Sequence, residues 1–326
     1  MDNEAGSRNK SAAHNKIGGQ SAADTQNKVV EQSAADTQNK VVPPIAATSQ
    51  DASKLQGQSV QSTMLLALYG RAKASRLFSD ILCDDEAIRI VDGMDYDFAQ
   101  IDKSYATEYA SLCCLLRAKR FDERCRTYMR EHPDGAIINL GSGLDTTFNR
   151  VDNGSVRWYN LDLPDAMTFR HQLIPASARC IDIAKSMFDY TWPGEVKTAD
   201  NSVLIIAGGL FYYFKETQLR ELFNRITTHF PTGELFFDAQ SKTATSISNR
   251  MVRKSGNSGS TMYFYVNDTQ RLKSWSPKIR KVETIPFFEG LWREKRFKLS
   301  SRIQMWGLDK LKMGFLVSLL WENTAK

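Results

Sequence analysis

An apolar run, Ile137-Ile138-Asn139-Leu140, stops at Gly141-Ser142-Gly143 and passes into Leu144 to Arg150, a segment able to start a helix. A strand that runs straight into glycines at a helix start matches the first turn of a doubly wound α/β sheet. That turn lies at the carboxyl edge, where missing side chains let a ligand lie against the backbone. A tight strand–helix turn with no ligand has the same local pattern, so the surrounding residues decide. The third glycine of the dinucleotide fingerprint is absent, because Leu144-Asp145-Thr146 follows Gly143. Pyrophosphate cradling loses ground, and a nucleoside without phosphates fits better. Trp158-Tyr159-Asn160-Leu161-Asp162-Leu163-Pro164 then sets an acid at the end of a second strand, about 20 residues past the glycines, where a carboxylate can accept both ribose hydroxyl protons. A structural reading competes: Asp162 as the N-cap of a helix with Pro164 in its first turn.

Around this turn, short apolar runs alternate with amphipathic segments. Strands are expected at 136–140, 156–161, 178–183, 202–207 and 233–238, and helices at 144–150, 163–174, 185–190 and 215–229. This alternation predicts βαβ units and a mostly parallel sheet. A helix at 242–254, a Gly/Ser/Asn loop at 255–260 and two late strands near 279–285 and 313–321 follow, the strands suiting a late antiparallel addition. Before the sheet, Met64, Leu65, Leu68 and Tyr69 recur at helical spacing, and Ala72, Leu77, Ile81 and Leu82 extend the apolar face. A long helix is expected from Tyr105 to Arg130, ended by His132-Pro133-Asp134-Gly135. Residues 59–134 thus read as a helical cap and 135–326 as the α/β core. Residues 1–58 contain no aromatic residue and repeat Gln20 to Val30 at Gln32 to Val42. Too few side chains there can offset the entropy of ordering, so a disordered tail is expected.

Composition narrows the function classes. The five cysteines include the adjacent pair Cys113-Cys114 and show no C-x-x-C spacing, and the four histidines are scattered. Reduced thiols, no disulfide frame and no metal are expected. No apolar run approaches the roughly 20 residues needed to cross a bilayer, and the first residues lack a secretory pattern. A cytoplasmic protein with no membrane partner is the expectation. The net charge of +6 is dispersed among acids, which argues against nucleic-acid binding.

The chain also resembles the leucine carboxyl methyltransferase family, including its bacterial polyketide O-methyltransferase-like members. The resemblance rests on Asn139 to Thr146, Asn160 to Pro164, Leu204-Ile205-Ile206-Ala207-Gly208-Gly209-Leu210-Phe211-Tyr212-Tyr213-Phe214, and Gly233-Glu234-Leu235-Phe236-Phe237-Asp238. It implies a seven-stranded Rossmann-like fold, S-adenosylmethionine as methyl donor, and a carboxylate or hydroxyl oxygen of a small molecule as acceptor. Carried over by position, Asn139, Gly141, Gly143, Asp145 and Gly208 would line the cofactor site and Asp162 with Leu163 would hold the ribose. Asp182 and Ile183 would border the adenine, and Arg117 would pair with the cofactor carboxylate. Arg71 and Lys73 would flank the mouth, with Tyr212 and Tyr213 as pocket residues. Many relatives carry an acid where this chain has Gly208, so substrate preferences do not transfer. A catalytically silent nucleoside-binding protein, a nicotinamide-dependent oxidoreductase and a protein C-terminal carboxyl methyltransferase remain as alternatives.

Overall fold

A computed structural model of the chain describes residues 60–105, 107–254 and 261–322. The expected disordered tail at 1–58 and the loop at 255–260 lie outside the described residues.

The described chain starts with α1 (Val60–Leu77), α2 (Asp85–Gly93), α3 (Ala99–Ser104) and α4 (Glu108–Glu131). It then alternates through β1 (Ala136–Leu140), α5 (Thr147–Val151), β2 (Arg157–Asp162), α6 (Pro164–Leu173), β3 (Cys180–Ala184), β4 (Ser202–Ala207), α7 (Glu216–His229) and β5 (Thr232–Gln240). It ends with α8 (Lys242–Lys254), β6 (Ile279–Pro286), α9 (Leu299–Lys310) and β7 (Gly314–Glu322). The seven strands form one sheet in the order β3-β2-β1-β4-β5-β7-β6. Strands β1 to β5 pair in parallel, while β7 pairs antiparallel with both β5 and β6. The sheet is therefore mixed, and of the two late strands only β7 reverses direction.

Alternation along the strands explains why both faces are covered. Ile138, Leu140, Leu161, Ile205 and Phe237 pack on one side with Leu219, Leu222, Phe223 and Ile226 of α7. Ile137, Trp158, Leu204, Ile206 and Phe236 face the other side, against Phe121, Cys125 and Met129 of α4 and Phe148 of α5. A sheet buried on both faces needs continuous apolar strands, and β1 and β4 are buried at every position. The chain turns from β1 to β2 on one side and to β4 on the other. The crevice beyond the carboxyl ends of β1 and β4 is thus the switch point where ligands bind in open α/β sheets.

Several expected elements shift. The helix expected at 185–190 is absent: a turn leads into a short 3-10 helix at Trp192–Glu195. There Ser186 Oγ accepts the Phe188 N–H, and Asp189 Oδ1 accepts the Thr191 N–H and hydroxyl, so short polar side chains satisfy the backbone in place of a helical ladder. The helix expected at 144–150 starts only at Thr147, because the Asp145 carboxylate takes the Thr147 N–H. The long helix starts at Glu108 with Thr107 as its cap, leaving Tyr105 in the preceding turn. Helix α1 ends at Leu77, which is exposed, so the apolar face does not continue through Ile81 and Leu82 as one helix.

Candidate functional site

At the end of β1, Gly141 and Gly143 adopt φ of +61° and +43°, a left-handed backbone that glycine alone enters freely. The turn is tied to the end of β2. The Gly141 N–H donates to the Leu161 carbonyl at 2.8 Å, and the Gly143 N–H donates to Asp162 Oδ2 at 2.7 Å. Asp162 Oδ1 accepts the Leu163 N–H at 2.8 Å, and Leu163 is the N-cap of α6 without a side-chain bond. The Asp162 carboxylate thus turns toward the glycines and does not cap α6. Burial pushes its carboxyl above the usual range, against the pull of those two N–H groups.

Two arginines fix the other side of this turn. Arg170 Nη1 donates to the carbonyls of Gly143 and Asp145, both at 2.8 Å, and Arg71 Nη2 donates to the Leu144 carbonyl at 2.6 Å. Three successive carbonyls of the turn are therefore bound by guanidinium groups. Asp145 accepts from Asn139 Nδ2 at 2.9 Å and from the Thr147 N–H and hydroxyl. Burial alone would raise the Asp145 carboxyl, but Arg71, Arg150 and Thr147 outweigh it and hold it low.

The opposite wall follows β4. Gly209 has φ +70°, and a Cβ there would stand 3.0 Å from Arg117 Nη1, whereas one on Gly208 would meet the Phe121 ring at an ordinary 3.5 Å. Arg117, from the middle of α4, makes one long contact, Nη1 to Asp238 Oδ2 at 3.4 Å. Its side chain remains 30% exposed, which leaves guanidinium donors for a ligand.

Between these walls lies a cavity of about 540 Å³. Of the residues singled out in the sequence, it is lined by Asn139, Gly141, Gly143, Asp145, Asp162, Leu163, Gly208, Arg117, Arg71 and Tyr213. Asp182, Ile183, Tyr212 and Lys73 are not brought to its wall. Asp182 binds His171 Nε2 at 2.6 Å and Asn160 Nδ2 at 2.9 Å, Ile183 is in the core beneath the sheet, and Lys73 pairs with Asp102. Tyr212 is buried, with its backbone carbonyl accepting the N–H groups of Tyr263 and Phe264. Sequence reasoning missed Met64, Leu66 and Ala67 of α1, Tyr105, Cys114, Leu210 and Phe214 in the wall, and Arg170 and Asp238 behind it. Asp238 had a readable signal, an acid closing the apolar strand Leu235-Phe236-Phe237, the same pattern that exposes Asp162. Arg170 had a fainter one, a charge between Phe169 and His171 on the inner face of a helix.

Among the described residues no group of three or more metal-ligating side chains is found, and no helix is long and apolar enough to cross a membrane. A nucleoside bearing an amino acid fits what is present. The two glycines supply bare backbone, Asp162 a carboxylate at its edge, Ser142 a buried hydroxyl with no protein partner, and Arg117 unused donors. Gly141→Ala tests the need for that bare turn. The new Cβ would stand 2.6 Å from Leu210 Cδ1 at a φ that costs an alanine roughly 1–2 kcal/mol. Leu210 or the turn must then move, and both line the cavity. A small drop in melting temperature with a clear loss of nucleoside affinity by calorimetry is expected; unchanged affinity would show that the turn is not in contact with the ligand.

The fold is that of a Rossmann-like methyltransferase. A candidate methyltransferase from Thermobifida fusca has the same fold, with a TM-score of 0.50 at 14% identity over 70% of this chain and 89% of that one. The leucine carboxyl methyltransferase family model matches residues 60–227, and the chain belongs to that family of S-adenosylmethionine-dependent methyltransferases. It is 32% identical over 181 residues to the tetracenomycin polyketide synthesis O-methyltransferase TcmP of Streptomyces glaucescens, spanning 55% of this chain and 66%, just under two thirds, of that protein. It is 26% identical over 253 residues to the S-adenosyl-L-methionine-dependent methyltransferase dpfgK of Gibberella zeae, spanning 72% of this chain and 84% of that protein.

Proposed function

We propose that this chain transfers a methyl group from S-adenosylmethionine to a carboxylate or hydroxyl oxygen of a small molecule. The observation that carries the reading is one cavity with a carboxylate and bare turn at Asp162 and Gly141 to Gly143, and an under-used guanidinium at Arg117. In this reading Asp162 takes the ribose hydroxyls, the glycine turn lies against the nucleoside, and Arg117 pairs with the amino-acid carboxylate. A guanidinium fork suits that planar anion better than an ammonium. The bound donor supplies an electrophilic methyl group on a sulfonium. The protein's own share is alignment and exclusion of water by Met64, Leu66, Ala67, Leu210 and Phe214, and positioning can contribute roughly 7–11 kcal/mol to the barrier reduction.

The cavity wall offers no evident base. No histidine or glutamate is among its described lining residues, and the carboxylates of Asp145 and Asp162 are held by donors. Burial pushes Tyr105, Tyr213 and Cys114 up, so all three keep their protons near neutral pH. The acceptor oxygen should therefore arrive already ionised, as a carboxylate or an acidic phenol. The rate with such an acceptor is expected to rise with the acceptor's own ionisation and then stay level up to about pH 8, a range in which an ordinary histidine would titrate. A histidine-like inflection with a fully ionised acceptor would overturn the base-free mechanism.

Calorimetry with S-adenosylmethionine, S-adenosylhomocysteine and NAD tests the cofactor, and a labelled methyl donor offered carboxylic acids and phenols tests the transfer. Binding of the first two and label in an oxygen ester or ether are expected. Binding of NAD alone would make the protein a nicotinamide enzyme, and tight donor binding with no acceptor in a broad panel would favour a silent binding protein.

A further inference from the structure

The wall behind Arg117 contains a carboxylate with no role in the reading above. Asp238 lies near the end of β5, one step past the Ala207–Phe237 pairing that joins β4 to β5, and its carboxylate takes the Gly209 N–H of the Gly208-Gly209 turn. It is 3% exposed and does not line the cavity. Oδ1 accepts the Gly209 N–H at 2.6 Å, and Oδ2 faces Arg117 Nη1 at 3.4 Å. The only ion pair found for Arg117 among the described residues is this one, and it comes from a residue that does not itself line the cavity. One buried carboxylate, which also takes the Tyr212 side chain as a partner, thus joins the glycine turn of the wall to Arg117, one of two arginines that line the cavity. Gly208 brings no charge of its own, so the negative charge at this strand edge comes from β5.

We infer that Asp238 is a positioning residue: it aims Arg117 at the amino-acid carboxylate of the methyl donor, and so sets recognition of the amino-acid end separately from the nucleoside end. The inference rests on the proposed donor site. A cation held by one long contact keeps its other donors free for a ligand, and it loses its aim when the contact is lost. Asparagine isolates the charge. Its carbonyl still accepts the Gly209 N–H, but its amide group presents a donor to a guanidinium that has only donors.

The experiment compares two ligands on the purified full chain. S-adenosylhomocysteine has the amino-acid end, and 5′-methylthioadenosine has the same nucleoside and thioether without it. Asp238→Asn is expected to weaken S-adenosylhomocysteine binding about tenfold, as for loss of a charge-assisted contact, while 5′-methylthioadenosine binds as in the wild type. A purely structural role would weaken both ligands alike. Equal losses, or no loss for either, would overturn the inference while leaving the donor site standing. Failure of the wild type to bind either ligand would instead remove the proposed function. If Asp238→Asn does not fold, Asp238→Glu, which keeps the charge but displaces it by a methylene, makes the same comparison with the same expected split and the same overturning results.

Discussion

Asp162→Ala should weaken binding of S-adenosylmethionine by a hundredfold or more, about 3 kcal/mol or above, while the protein stays folded. In the proposed site the carboxylate accepts two ribose hydroxyl protons, and each hydrogen bond to a charged group contributes roughly 1.5–3 kcal/mol. The same oxygens accept the Gly143 and Leu163 N–H groups at 2.7 and 2.8 Å, so the substitution also frees the turn that faces the nucleoside. Neither donor is in the sheet core, which keeps the effect on stability small. Calorimetry and thermal melting on the same sample check both halves. Wild-type affinity in the variant would take Asp162 out of the site, and a collapsed melting curve would show that the carboxylate is structural.

The second large effect is on stability. Asp84, fully buried, is the N-cap of α2 and stands between two guanidiniums, Arg71 Nε at 3.0 Å and Arg150 Nη1 at 2.6 Å, with the Thr146 hydroxyl at 2.6 Å. Asp84→Ala leaves two buried cations short of a partner and should cost about 3–5 kcal/mol. That is a large part of a typical total of roughly 5–15 kcal/mol, and urea denaturation measures it directly. Burial pushes the Asp84 carboxyl up, but Arg150 and Arg71 outweigh it and hold it below the usual range. The folded protein therefore binds this proton less readily than the unfolded chain. The contribution is complete above about pH 4 and drains away as the pH falls through the lowered value. The alanine variant should lose that part of the wild type's acid sensitivity. A midpoint within experimental error of the wild type would show that the network adds nothing.

Much of this architecture was legible because burial on both faces leaves a continuous apolar strand. Ile137 to Leu140, Trp158 to Leu161 and Val203 to Ala207 could hardly be anything else, and the turn after each could be located within a residue or two. The segment 185–190 misled because Met187, Phe188 and Tyr190 are apolar for a different reason: they pack as loop side chains on or against the core. Helices α2, α3 and α9 went unread: α3 buries none of its side chains and α9 only Ser301 and Met305, which leaves no apolar stripe, whereas α2, only nine residues long, carries one in Ala87, Ile90 and Val91. The site divides in the same way. Gly141, Gly143 and Asp162 follow from strands that end in glycines or an acid, whereas Gly208 came only from the family resemblance. Met64, Tyr105 and Cys114 reach the cavity only through how the cap helices pack over it, and no local pattern records that placement. Asp182 and Ile183 came from the family resemblance alone, and they are not among the residues that line the cavity.

The two arginines that grip the carbonyls of residues 143–145 come from different places, Arg71 from the first helix of the cap and Arg170 from the helix after β2. Arg71 is anchored in turn by Asp84 at the start of α2. Opening the cap would remove the Arg71 contact from the cavity-facing turn, so a filled turn should resist that opening. By linkage, a bound ligand should slow solvent exchange of amides in α2, which does not line the cavity, and loosening that helix should shorten the ligand's residence time.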